Sequence, residues 1–157
     1  MIEISYKNED TLVIKNADKK EVFFNYNDNT VHLEDFDVTH PWEYEKSGNL
    51  LEVKQYTDIL FYKFLIDGKH LCIVTSDSFD LKEEIVWFFG DVDILIIVGT
   101  KDAVKIFENI EAKVVIPYGP GKDVFLNTLG QHSEPVKLHK VWADIDGDTS
   151  EFVNLEA

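Results

Sequence analysis

Residues 37 to 48 read DVTHPWEYEKSG. His40 with Glu43 and Glu45 close by is the residue set of a metal loop, since imidazoles and carboxylates bind zinc, and a zinc-bound water loses its proton near neutral pH. The same stretch also reads as a turn between strands, with Pro41 fixing φ and Trp42 packing onto a sheet. Asp77, at the end of the run TSD, is a second candidate acid. DIDGDTSEF at 144–152 alternates Asp144, Asp146 and Asp148, but an EF-hand loop would need Gly and Glu where Thr149 and Leu155 stand, so it reads as a solvated acidic turn. YGPGKD at 118–123 precedes a helix with Lys122 beside it, a geometry that can cradle an anion, yet it lacks the P-loop pattern and reads as a capping turn. His70, His132 and His139 read as exposed or hydrogen-bonded side chains, and no nucleophile sits in a recognisable elbow.

The elements that must position these residues change character along the chain. IEISY, TLVIK and EVFFNY alternate like strands and are separated by turn-forming NED and NADKK, which predicts an antiparallel meander. LLEVKQY, ILFYKFLI and HLCIVTS continue the sheet to about residue 76, the last two joined by Asp67-Gly68, a strong hairpin signal. From there the period shifts. Residues 77–90 predict a helix opened by Ser78 or Asp80 and closed by Gly90, with further helices over 101–110 and 121–130. Between them DILIIVG and KVVIPYG are apolar throughout, as strands buried on both faces are. VKLHKVW and EFVNL return to sheet, and nothing marks a boundary, so residues 1–157 are expected to form a single domain.

Composition narrows the partners. Of the 45 charged residues at neutral pH, 30 are acidic and 15 basic, giving a net charge of −15, and all 15 basic residues are lysine. Such a surface repels phosphate backbones and anionic lipid heads, and it lacks the guanidinium best suited to bidentate phosphate contacts. Neither nucleic acid nor membrane is expected as a partner. Cys72, the one cysteine, sits in an apolar run as a buried structural thiol. With neither a leader-like N-terminus nor an apolar run of membrane-spanning length, a cytoplasmic location is expected.

GDVDILIIVGTKDAVKIFENIEAKVVIPYG at 90–119 resembles the small metallo-β-lactamase-fold hydrolases related to ascorbate-phosphate lactonases, whose DVDVLLIPVGG strand leads through a helix to an IEPKIVIPMHY-like strand. HPWEYEKSGNLLEV is similar to their GPGEYEVKGV segment, and the resemblance runs over about residues 40–157. It implies a four-layer αββα sandwich, reduced in size, with two mixed sheets face to face and helices outside. It also implies a zinc or manganese centre at one edge, held by an HxHxDH loop, an Asp after a later strand and the His of IPMHY.

Those ligands are missing here. SYKNEDTLVI stands in place of the LGHSSF-like strand, leaving Asn8 but no histidine, and Asn25 takes the place of a carboxylate. The twelve residues NDNTVHLEDFDV before Thr39 cannot hold the HxHxDH loop, and the late strand reads Ile-Pro-Tyr118-Gly. Asp77 is the one ligand remnant, and a lone carboxylate cannot retain zinc. The expected reading is therefore a catalytically inactive protein with no metal and no other cofactor, acting in binding, scaffolding or self-association with protein partners. Asn8, Asn25, His40, Glu43, Asp77 and Tyr118 would line its vestigial pocket. The alternative is a residual hydrolase, mononuclear or metal-free, built around Asp77.

Overall fold

The computed structural model describes residues 1–142 and 149–157, so the acidic run Asp144, Asp146 and Asp148 lies outside the described residues. Alternation in the first half yields Ile2–Asn8 (β1), Thr11–Lys15 (β2), Glu21–Asn25 (β3), Thr30–Leu33 (β4) and Phe36–Val38 (β5). The chain then crosses to a second sheet through Thr39–Trp42 and continues as Glu43–Lys46 (β6), Asn49–Tyr56 (β7), Ile59–Ile66 (β8) and Lys69–Val74 (β9). Helix Glu83–Phe89 (α1), strand Ile94–Val98 (β10), helix Ala103–Ile110 (α2), strand Val114–Tyr118 (β11) and helix Lys122–Thr128 (α3) follow, with Leu138–Val141 (β12) and Glu151–Phe152 (β13) at the end.

Two sheets result, ordered β12-β1-β2-β3-β4-β5 and β13-β11-β10-β9-β8-β7-β6. The first is antiparallel throughout, whereas the second is mixed, with β9, β10, β11 and β13 parallel and the remainder antiparallel. Apolar side chains of both sheets meet between them: Ile4, Leu12, Phe24 and Val31 from one, Tyr62, Phe64, Ile73, Ile94 and Ile116 from the other. β10 shows why its sequence carries no polar position. Ile94 and Ile96 enter the inter-sheet core, while Leu95 and Ile97 join Phe61, Ile85, Phe107 and Phe125 in a second core beneath the helices. Cys72 lies in that second core, where burial pushes its thiol up to about 12 and keeps it unreactive.

The sandwich is the α+β, metallo-β-lactamase-like arrangement expected from the sequence, with one refinement: the described helices all lie on the second sheet, so three of four layers are filled. The outer face of the first sheet closes by other means. Its cross-strand neighbours run Lys140, Glu3, Lys15, Glu21, alternating in sign, and the Lys7 ammonium stands 4.7 Å over the Phe23 ring. Opposite-charge pairs across strands contribute about 0.2–1 kcal/mol each, enough for a face that then needs no helix.

Helix α1 starts later than predicted, with Lys82 and not Ser78 or Asp80 as its flanking residue and no side-chain cap. The reason is apolar. Phe79 packs edge-on against Phe61 at 4.9 Å, and Lys82 is extended, so the helix begins only at Glu83. Trp42, Trp87 and Trp142 are exposed, with 74%, 76% and 59% of their surface open to solvent. Among the described residues no helix is long and apolar enough to cross a membrane.

Candidate functional site

Because β9, β10 and β11 are parallel, their carboxyl ends share one edge of the sandwich, where sheets of this kind hold ligands. Asp77 follows β9, Thr100 follows β10 and Tyr118 closes β11. The Thr100 hydroxyl donates to Asp77 Oδ2 at 2.6 Å and accepts the backbone N–H of Ala103 at 3.1 Å. Ser78 Oγ donates to the other carboxylate oxygen at 2.9 Å. The Thr100 bond, assisted by Ser78 and opposed by partial burial, holds the Asp77 carboxyl below the usual carboxylate range. Asp77 is thus an ionised acceptor that ties two loops together and, through Thr100, caps α2. A carboxylate held this firmly in its ionised form is a weak proton acceptor.

Replacement Thr100→Val tests this staple, and it should cost about 1–2 kcal/mol because it removes both hydrogen bonds of the hydroxyl. The acid limb should change too. A carboxyl depressed in the folded state contributes stability that is present above its unfolded value and lost as pH falls through its folded value. In Thr100→Val the Asp77 pKa returns toward its ordinary value and that acid-side loss shrinks, which urea unfolding between about pH 2 and 6 would read out.

Tyr118 plays a different part. Only 2% exposed, its ring lies 5.3 Å from Phe24 and 5.4 Å from Tyr26. Tyr26 donates its hydroxyl to the Glu9 carbonyl, and Tyr62 donates to that of Asn29 at 3.0 Å. The Tyr118 hydroxyl has no hydrogen-bond partner among the described residues, and burial, then the neighbouring Tyr6 and Tyr62, raises its pKa. Tyr6 and Tyr62 are themselves pushed up to about 12, chiefly by burial. This end of the inter-sheet space is therefore packed with neutral aromatic rings.

The other four residues read from the sequence fall elsewhere. Asn25 sits between Phe24 and Tyr26, and strand alternation turns it to the outer face, where Nδ2 donates to Thr11 Oγ1 at 3.4 Å and Oδ1 accepts the Asn27 N–H at 2.9 Å. Asn8 Oδ1 accepts the Asp10 N–H at 3.1 Å, so both asparagines build turns. His40 is exposed, and its backbone carbonyl accepts the Tyr44 hydroxyl at 2.8 Å. Glu43 opens β6, three strands from β9 and level with Cys72, whereas Asp77 lies beyond the end of β9. Tyr118 approaches the Asp77–Thr100 cluster only through its backbone, whose carbonyl accepts the Gly99 N–H at 2.7 Å.

A zinc or manganese centre does not fit these residues. One carboxylate already accepting two hydroxyl hydrogen bonds stands where three or four donors are needed, and among the described residues no three of His, Cys, Asp or Glu gather into a metal-holding group. Lys122, beside the glycine-rich turn, is also committed, since its ammonium donates to the Leu155 carbonyl at 2.9 Å. His139 faces inward from β12 beside a polar cleft of about 410 Å³ that also holds Glu151 and Asn154, and burial lowers its pKa against the opposing charge of Glu151.

A larger groove of about 600 Å³ opens at the far edge of the second sheet, lined by Pro41, Trp42 and Glu43, by Glu52–Gln55 of β7 and by Phe88 of α1. Sequence reasoning packed Trp42 onto a sheet and so did not find it. The available signal was that EYEK has one apolar residue, Tyr44, and therefore only one face to bury.

No family model matches the chain, and no curated protein matches it. Among solved structures it is similar to the 2.00 Å crystal structure of a candidate Zn-dependent hydrolase of the metallo-β-lactamase superfamily from Thermotoga maritima, with 17% sequence identity, a TM-score of 0.77 and 100% of each chain covered. At that identity the likeness shows the fold, which is metallo-β-lactamase-like.

Proposed function

We propose that this chain is a degenerate metallo-β-lactamase-fold protein, derived from hydrolases of the type related to ascorbate-phosphate lactonases, that has given up metal-dependent hydrolysis and works by binding. It acts in the cytoplasm, as a partner-binding or scaffold protein or through self-association, without a cofactor. The observation that carries this reading is the packing of Tyr118 against Phe24 and Tyr26 at the edge where the resembling hydrolases hold their metals. Gly119 stands where the IPMHY-like strand carries its ligand histidine, and Tyr118 just before it closes the strand end with a buried ring. The alternative, a residual hydrolase around Asp77, has against it the commitment of that carboxylate to Thr100 and Ser78 and the placement of Glu43 three strands from β9. Net charge of −15 without arginine supports a protein partner over nucleic acid or an anionic membrane.

Elemental mass spectrometry of protein purified without chelator tests the proposal. Metal per chain should be near zero and unchanged after incubation with zinc or manganese followed by gel filtration. Stoichiometric retention of either metal, with ester or phosphodiester hydrolysis that a chelator abolishes, would overturn it.

A further inference from the structure

We propose that the groove beside β6 receives an extended, basic segment of a partner protein, which adds to the sheet as an eighth strand and sets Lys or Arg side chains at alternate positions against Glu43, Glu45 and Glu52. This deepens the reading of the chain as a binding protein and rests on it.

Three features of the edge converge. Among the described residues β6 is the terminal strand of its sheet, paired with β7 on one side and with no strand on the other. An edge of this kind offers backbone donors and acceptors to an incoming strand. Glu43 lies directly opposite Glu52 across the β6–β7 ladder, and both line the groove. Like charges placed so repel one another, and a cation between them relieves the repulsion. Trp42, immediately before the strand, offers an exposed indole face of the sort on which an ammonium or guanidinium settles.

The neighbouring lysines do not neutralise this pair. Lys63, the cross-strand neighbour of Glu52 on β8, gives its ammonium to the Phe88 carbonyl at 3.1 Å. Lys54 lines the groove but stands 4.0 Å from Glu84 of α1. Among the described residues no ion pair within 4 Å reaches Glu43, Glu45 or Glu52. Strand alternation puts Glu43 and Glu45 on one face, so an added strand meets them with every second side chain. A second copy of this chain is the poorer occupant, since each copy carries a net charge of −15.

The test uses the full chain and a fluorescein-labelled ten-residue peptide of alternating Arg and Thr, read by fluorescence anisotropy, with amide chemical shifts to locate binding. We expect saturable binding with shifts centred on residues 42–46, weakened about ten-fold by Glu43→Gln with Glu52→Gln, and weakened also by Trp42→Ala. Removing the same charge elsewhere, by Glu108→Gln with Glu156→Gln, should change affinity less than about two-fold. A peptide of the same composition with its Arg residues grouped at one end should bind more weakly. No binding, equal weakening by the remote pair, or shifts spread over the whole acidic surface would overturn the proposal. Metal-free protein that fails to bind the peptide sinks this inference alone, whereas bound metal with hydrolysis sinks the binding-protein reading whether or not the peptide binds.

Discussion

Gly121→Ala should lower stability by about 3 kcal/mol or more, a fall of about 6–12 °C in Tm for a domain of this size. A Cβ on Gly121 would lie 2.1 Å from the Gly99 carbonyl oxygen, and one on Gly99 would lie 2.6 Å from Lys122 Cα and 2.8 Å from the Tyr118 carbonyl oxygen. All of these are backbone atoms, so no flexible side chain can yield. The approach is fixed by the fold, because the loop leaving β10 and the turn entering α3 press together where the Gly99 N–H donates to the Tyr118 carbonyl at 2.7 Å. Gly130→Ala is the matched comparison. At φ 69° with nothing within 4 Å of the added methyl, it should cost only the backbone strain of a left-handed residue, about 1 kcal/mol. Thermal unfolding followed by circular dichroism separates the two, and equal losses would mean that the clash relaxes at little cost.

The glycines of YGPGKD were visible in the sequence, but their purpose was not. Glycine before a helix permits an anion cradle or a close backbone contact, and the partner that decides between them, Gly99, lies 22 positions earlier. The same limit explains most of what was missed. Fully apolar DILIIVG and KVVIPYG announced strands buried on both faces because burial there leaves no polar position to confuse the period. TVHL and FDV were passed over since four and three residues give too little alternation to register. Thr100 left no local signal at all: its partner Asp77 is 23 residues away. Asn25 was read as lining the pocket because it takes the place of a carboxylate in the resembling family, yet the pleat that brings Phe24 inward turns Asn25 out.

Tyr118 gives the other large effect, and its two replacements should move in opposite directions. Tyr118→Ala removes a fully buried ring that meets Phe24 and Tyr26 where both sheets converge, and by analogy with other large-to-small aromatic deletions it should cost about 3–5 kcal/mol. Tyr118→Phe keeps the ring and deletes only the hydroxyl, which is buried without a hydrogen-bond partner. An unpaired buried hydroxyl carries a desolvation cost of about 1–3 kcal/mol, so its removal should leave stability unchanged or raise it by about 1 kcal/mol. Chemical denaturation of both variants reads this directly. A clear loss in Tyr118→Phe would mean that the hydroxyl is satisfied by a molecule bound at this edge, and the search for a ligand would move from the β6 groove to the carboxyl ends of β10 and β11. The predicted pattern, loss with Ala and none with Phe, instead makes Tyr118 a packing residue. The ring would then stabilise the sandwich at this edge, which leaves the binding role proposed above to exposed edges such as β6.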